Sequence, residues 1–348
     1  MESNNIILSD LERIIAAPLP WQELYGKTVL VTGANGFLPA YMVKTLLLLN
    51  ERNNAAINVI GLVRNMERAN ARFIDYKDRP DLTIVCADIT SPISIDGDID
   101  IIIHAASQAS PKYYGTDPVG TLSANTIGTY HLLKLAVEKS AGKFLYLSSS
   151  EVYGTLVNSD NITEDIYGSV DPTNVRSCYA ESKRMGETLC VSFAAQYKVP
   201  VVIARPFHTY GPGLSLDDGR VFADFVANIV NGQDIVMNSD GSAVRSFCYS
   251  ADATIGFFTV LFKGQLSQAY NVANPAGALS IKELAELLIA LYPEKKIRAV
   301  FKTATGGNYL ASNVSKLCPS IKKLNELGWQ PALTVAEGFK RTIDSFSN

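Results

Sequence analysis

KTVLVTGANGFLP, residues 27–39, runs from a short apolar segment through a glycine turn into a segment able to form a helix. Val29, Leu30 and Val31 have the unbroken apolar character of a strand covered on both faces, and the strand ends at Thr32. Gly33 and Gly36 follow. Glycines at such a place allow a tight turn and bring backbone N–H groups close to a pyrophosphate at a helix N-terminus. Two spaced glycines alone are equally a plain strand–helix turn; their position after the first strand of an alternating chain is what points to a dinucleotide. Where a third glycine is usual, the chain has Pro39, which a first helical turn tolerates at the cost of different helix–strand packing.

Outward from this turn the alternation continues. Residues 38–50 read as a helix; 57–63 (INVIGLV), 82–86 (LTIVC) and 99–103 (IDIII) read as apolar strands. Then come a helix over 121–139, a strand over 143–148 (KFLYLS), a long helix over 176–197 and a strand over 199–204. This order predicts an α/β fold, a Rossmann-type doubly wound parallel sheet with helices on both sides. After Arg205 the texture changes: Pro206, Gly211, Pro212, Gly213 and the run DDGR break the alternation, and helices follow at 280–291 and 334–346. We expect an N-terminal helical appendage over 1–25, with a helix over 9–24 broken by Pro18 and Pro20. A dinucleotide-binding domain then covers 26–205, with 250–272 returning to it. A smaller C-terminal α/β substrate domain covers 206–249 and 273–348, packed over the carboxyl edge of the sheet.

Bulk properties narrow the function. The 348 residues are 47% hydrophobic and 19% charged, a globular balance, and the formal net charge is −3. No basic stripe is available to neutralise a phosphate backbone, so no nucleic-acid partner is expected. The apolar run Thr45 to Leu49 is far too short to span a bilayer, and the opening MESNNIILSDLERII does not read as a signal peptide. The five cysteines (Cys86, Cys178, Cys190, Cys248, Cys318) form no CxxC pair, which argues against a disulfide framework or zinc site and for a reducing cytoplasm. No metal site is expected, and HExxH and GxSxG are both absent.

The chemistry-bearing residues cluster in three places. Tyr179 and Lys183, in YAESK, are spaced i, i+4 and share one helix face. An ammonium beside a phenol, with a cofactor's positive charge nearby, lowers the phenol pKa from about 10, and the tyrosinate can then take a proton from a sugar hydroxyl. YxxxK by itself is also an ordinary surface pair. It gains force from Ser148-Ser149-Ser150-Glu151 at the carboxyl end of a strand, where ligands bind in such folds and where Ser149 can hold the reacting oxygen. At the end of the second strand, where an acid usually binds the adenosine ribose, the chain has Val63-Arg64-Asn65. Arg64 can accept a 2′-phosphate, which would favour NADP; it can also stack on adenine or lie in solvent. Asp88-Ile89, after the third strand, is placed to meet the adenine edge or to make a plain turn.

The order TGANGF, HAAS, SSSEVYG, YAESK, RPFHTYGPG, DDGR, RSFCYSAD and YNVANP resembles the extended short-chain dehydrogenase/reductase superfamily, the NAD-dependent epimerases and dehydratases, over roughly residues 26–335. Within it the chain is most similar to the UDP-glucuronate decarboxylases. SSSEVYG has the hydroxyl-Ser-Glu pattern of that branch: a dehydratase carries Asp-Glu there, Ser150 removes that acid, and simple 4-epimerases lack the Glu. HAASQASPKYYGTDP, with Ser107, Ser110 and Tyr113, and EDIYGSVDPTNVRSCYAESKR, with Arg176, resemble the same branch.

The resemblance implies NAD, or NADP through Arg64, held by Gly33, Asn35, Gly36, Phe37, Leu38, Asp88, Ile89, Ala105, Ala106, Ser107, Asn125 and Pro206 together with Tyr179 and Lys183. It implies a nucleotide-sugar substrate touched by Ser110, Tyr113, Ser150, Arg176, His208, Arg220 and Arg245, and catalysis by Tyr179, Lys183, Ser149 and Glu151. Arg220 and Arg245 would meet the nucleotide or diphosphate, Arg245 also the sugar carboxylate; a surface ion pair is the plainer role for either. His208 stands where the family usually has Asn, and His104 and His131 read as structural. The implied reaction oxidises C4, loses carbon dioxide from the resulting β-keto acid and returns the hydride, giving UDP-xylose. A 4-epimerase or 4,6-dehydratase is the enzymatic alternative; a non-catalytic NAD(P)-binding regulatory protein is the alternative of another class. A homodimer through the helices at 121–139 and 176–197 is likewise implied.

Overall fold

The computed structural model describes residues 2–156, 160–301 and 316–346. Helix α1 (Glu2–Ile15) comes first, followed by a single 3-10 turn at Trp21–Leu24. The helix expected over 9–24 therefore begins earlier and stops before the prolines. Pro18 and Pro20 lie in the connection, where a fixed φ and a missing N–H end the helix instead of bending it. Next are β1 (Thr28–Thr32), α2 (Phe37–Asn53), β2 (Asn58–Val63), α3 (Met66–Arg72), β3 (Leu82–Cys86) and β4 (Ile101–His104). Two helices, α4 (Lys112–Thr116) and α5 (Pro118–Glu138), lead to β5 (Lys143–Leu147), α6 (Ser177–Tyr197) and β6 (Val201–Pro206).

These strands, with one from much later in the chain, make a seven-stranded sheet in the order β10-β6-β5-β4-β1-β2-β3, where β10 is Ala269–Val272. Every pairing in it is parallel. Side chains alternate between two apolar layers, as the twofold period of a strand requires. Val29 and Val31 of β1 enter one layer and Leu30 the other; Ile101 and Ile103 of β4 part from Ile102 in the same way, as do Leu145 and Leu147 of β5 from Phe144 and Tyr146. One layer is closed by α2 (Leu46, Leu47) with α1 (Leu11, Ile14), the other by α5 (Leu132, Leu133) with α6 (Cys190, Phe193). The strand order reverses between β1 and β4, so the carboxyl ends of these two strands open the crevice in which such sheets bind ligands.

Between β6 and β10 the chain forms β7 (His208–Tyr210), α7 (Val221–Val230), β8 (Ile235–Met237), β9 (Val244–Tyr249) and α8 (Ser250–Lys263). After β10 come β11 (Ala278–Ser280), α9 (Ile281–Leu291), β12 (Ala299–Phe301), α10 (Lys322–Asn325) and α11 (Val335–Asp344). β11, β9 and β7 form a small mixed sheet, and β12 pairs with β8. This second layer is held by aromatic packing, including a Tyr210–Phe339 stack with centroids 3.8 Å apart. Helix α1 joins the layers. The buried carboxylate of Asp10 accepts hydrogen bonds from Tyr41 on α2 (3.0 Å), Tyr249 on β9 (2.6 Å) and Arg341 on α11 (2.6 Å).

Candidate functional site

A cleft of about 1490 Å³ runs along the carboxyl ends of the strands and under the second layer. That exceeds the volume usual for one small ligand and suits two bound side by side. Its walls contain nearly all the residues expected at the site. The exception is Asn125, which lies behind the wall: its amide donates to Ser182 Oγ at 3.0 Å and so ties α5 to α6.

At one end the wall is mostly backbone. Gly33 has φ +65°, and a Cβ there would lie 2.8 Å from the Cα of Ala106. A Cβ on Gly36 would meet the Gly33 carbonyl at 3.0 Å and the Pro39 ring at 3.2 Å, so proline takes up the space that a third glycine usually leaves. Thr32 Oγ1 accepts from the N–H groups of Ala105 (3.2 Å) and Ala106 (3.1 Å), fixing the second loop against the first. His104 is a tie in the same layer, its ring bridging Thr32 and Thr129 at 2.9 Å each; burial pushes its pKa down to about 3, so it stays neutral. Ser107 Oγ is buried near the Tyr179 phenol, and among the described residues no group meets it at full hydrogen-bond geometry. A cradle that a methyl group would fill, lined by Asn35, Phe37 and Leu38 at the start of α2, fits the pyrophosphate of a dinucleotide. Arg64 and Asp88 are exposed on the same rim, and Ile89 is buried beneath it.

In the middle of the cleft stand Tyr179 and Lys183. Both are buried, on one face of α6. The Lys183 ammonium donates to the Leu147 carbonyl at the end of β5 (2.8 Å) and lies 5.0 Å from the Tyr146 ring and 5.9 Å from the Tyr179 ring. Burial pushes the Lys183 pKa down to about 7, with the Glu187 carboxylate pulling the other way. Tyr179 departs from the sequence expectation of a lowered phenol pKa. Burial raises it, and the Ser149 hydroxyl, the Arg220 charge and the Ser107 hydroxyl oppose that rise without overcoming it. The protein alone keeps the phenol protonated, because desolvation outweighs these partners.

The serine run shares its work. Ser148 donates to Glu187 (2.5 Å), which forms a two-pronged pair with the buried Arg205 (2.8 and 2.7 Å). Ser149 begins the 3-10 turn at Ser150–Tyr153, accepting from the Glu151 amide at 3.2 Å, and Ser150 lines the cleft beside it. Glu151 is paired with Arg176 at 3.2 Å. Tyr114, which the sequence reading passed over for its neighbour Tyr113, stacks on Tyr179 with centroids 5.0 Å apart and planes 16° apart, and Arg176 lies 5.9 Å from its ring. The pair KYYG offers two adjacent tyrosines, and in the five-residue helix α4 no periodicity tells which one faces inward.

The other end of the cleft is made of side chains. Arg176, Arg220 and Arg245 all line it. Arg220 is held by both oxygens of Asp218 (2.5 and 3.1 Å), and Arg245 is buried on β9 with one nitrogen donating to the Val244 carbonyl at 2.8 Å. His208 packs edge-on against Phe222 and Phe247. Burial and the two neighbouring arginines push its pKa down to about 3, and its Nδ1 is buried with no partner among the described residues. Ser110 donates to the Asp218 carbonyl and Lys112 to Asp217 (3.0 and 3.1 Å), stitching the loop after β4 to the DDGR turn. The Ser110 hydroxyl, expected to touch substrate, is thus occupied by that turn. Three guanidinium groups give this end the forked donors that suit a diphosphate or carboxylate ligand.

Among the described residues no helix is long and apolar enough to cross a membrane, and no cluster of His, Cys, Asp and Glu could hold a metal ion. Comparison with known proteins agrees with the geometry. The chain is 34% identical over 328 residues to UDP-glucuronic acid decarboxylase 6 of Arabidopsis thaliana, covering 91% of this chain and 88% of that one. It is 32% identical over 324 residues to UDP-glucuronic acid decarboxylase 1 of Danio rerio, covering 92% and 73%. Among solved structures it is similar to DesIV, a dTDP-glucose 4,6-dehydratase of Streptomyces venezuelae with NAD and TYD bound (TM-score 0.77, 25% identity, 92% and 96% coverage). The fold is also that of a UDP-glucuronic acid 4-epimerase of Bacillus cereus (TM-score 0.76, 22% identity, 92% and 98% coverage). With a glycine cradle, a buried tyrosine–lysine pair and a family model matching residues 29–273, the chain belongs to the NAD dependent epimerase/dehydratase family.

Proposed function

We propose that this protein converts UDP-glucuronate to UDP-xylose by oxidation at C4, loss of carbon dioxide and reduction. The observation that carries this reading is the pairing of a buried Tyr179 and Ser149 at the cleft centre with an arginine-rich end next to them. NAD, when bound, supplies the acceptor and donor of the C4 hydride. Tyr179, which would ionise only with the positive charge of the bound cofactor added to that of Lys183, takes the C4 hydroxyl proton as the tyrosinate, and Ser149 hydrogen-bonds the same oxygen. Lys183 stabilises the tyrosinate from the floor of the site, which is why its ammonium is anchored on the Leu147 carbonyl. The C4 ketone lies β to the C5 carboxylate, so breaking the carbon–carbon bond releases carbon dioxide and leaves an enolate. Glu151, held by Arg176, positions the proton that returns to C5. Arg245 and Arg220 bind the sugar carboxylate and the diphosphate. The hydroxyl of Ser150 leaves no second acid beside Glu151, which supports decarboxylation over loss of water. Kinship to decarboxylases along more than nine-tenths of the chain supports the same choice.

We also propose a homodimer in which α5 and α6 pack against a second copy. Leu122, Ile127 and Tyr130 on α5, with Met185, Val191 and Tyr197 on α6, are exposed apolar side chains. All five cysteines are free, and we place the protein in a reducing cytoplasm. Incubation of the purified protein with UDP-glucuronate, followed by mass spectrometry, tests the reaction. Loss of carbon dioxide with a UDP-pentose product is the expected outcome. A product of unchanged mass would make it an epimerase, loss of water a dehydratase, and no turnover with retained dinucleotide binding a regulatory protein.

A further inference from the structure

The adenosine end of the cleft is bordered by the turn from β2 into α3. There Arg64, just before the Asn65 cap, and Arg68, in the first turn of α3, line the cleft with Asn65, while Glu67 does not. Asn65 is already engaged: its side-chain oxygen caps α3 by accepting from the Arg68 amide at 2.8 Å. Both arginines are exposed, and among the described residues neither forms an ion pair. Two carboxylates feel the charge of Arg64, and both have other partners. Asp88 accepts from the amide and hydroxyl of Thr90 (2.9 and 2.8 Å), and Asp117 accepts from the Gly120 amide and Gln108 (3.0 Å each).

A dinucleotide site that takes NAD presents a carboxylate at this strand end, which accepts from the ribose 2′-hydroxyl and repels a 2′-phosphate. Here the carboxylate is replaced by a guanidinium, with a second one, Arg68, on the first turn of α3 beside the same cleft. We infer that Arg64 and Arg68 form a 2′-phosphate subsite, so that this chain binds NADP as well as NAD, and NADP the more tightly. A phosphate monoester carries nearly two negative charges at neutral pH and offers three acceptor oxygens, enough for both side chains. The inference rests on the reading of the cleft as a dinucleotide site.

The test is direct binding by calorimetry, with adenosine 2′,5′-bisphosphate against 5′-AMP and NADP against NAD, at low and high salt. The 2′-phosphorylated member of each pair should bind about tenfold or more tightly, as charge-assisted hydrogen bonds allow, and the advantage should shrink as salt rises. Arg64→Ala should remove most of it, and Arg64→Asp should reverse the preference between NADP and NAD. Equal or weaker binding of the 2′-phosphorylated ligands, with NAD still bound, would overturn the inference and leave the dinucleotide site standing. Failure of both dinucleotides to bind would overturn the site itself.

Discussion

The two ends of the cleft are made of different materials. The dinucleotide end is backbone: Gly33 against Ala106 and Gly36 against the Gly33 carbonyl, with Thr32 pinning the loop. The sugar end is side chain: Arg176 at the start of α6, with Arg220, Arg245 and His208 from the layer that closes over the sheet. Backbone sites tolerate almost no change, because any added Cβ meets main chain that cannot retreat. Side-chain sites can be rebuilt one residue at a time, since replacing Asn by His at position 208 needs only a pocket between Phe222 and Phe247. One family can therefore keep a common redox floor beneath several sugar chemistries.

Substitutions can sharpen or break this contrast. The largest effect should come from where the two ends meet. Tyr179→Phe should lower turnover by about 10²–10⁴-fold, the usual worth of a positioned acid–base group, with dinucleotide and nucleotide-sugar binding kept. Full activity in that variant would remove the redox centre from the account. Gly33→Ala should nearly abolish dinucleotide binding and destabilise the fold by about 1–3 kcal/mol through overpacking at a left-handed position, measured by calorimetry and urea denaturation. Arg245→Ala should raise KM for the nucleotide sugar by about 10–100-fold, the loss of a charge-assisted hydrogen bond, and leave dinucleotide affinity unchanged. If the dinucleotide weakens as well, the two ends are not separable.

The pH dependence comes next. Lys183 has a folded pKa of about 7, below its unfolded value near 10.5, so the unfolded chain holds the extra proton between these values. Stability of the ligand-free protein should therefore rise with pH across that window, and Lys183→Met should flatten the rise in urea midpoints. The smallest effect is expected at His208→Ala, about fivefold in KM for the sugar nucleotide, because only one neutral hydrogen bond is at stake. An equal loss of dinucleotide affinity would show that this histidine serves both ligands.

Several features of the protein were legible in residue order alone. Alternating apolar strands and helices specify a doubly wound sheet, because a strand covered on both faces admits few other partners. TGANGF, SSSE and YAESK point to the proposed cradle and redox centre, since those functions depend on local geometry: a turn, a strand end and one helical face. Arg64 could be read as a departure from an acid, but not as a cation that faces the cleft and forms no ion pair among the described residues. Only the tertiary structure decided that. It also decided that Tyr114 and not Tyr113 stacks on Tyr179, that Ser110 is occupied by the DDGR turn, and that Asn125 stands behind the wall. The helix start at Glu2 belongs to the same class. Burial likewise sets the direction of the Tyr179 and Lys183 shifts. These outcomes depend on which segments meet across long separations in the chain, and desolvation, orientation and partner choice are properties of those meetings, not of spacing along the sequence.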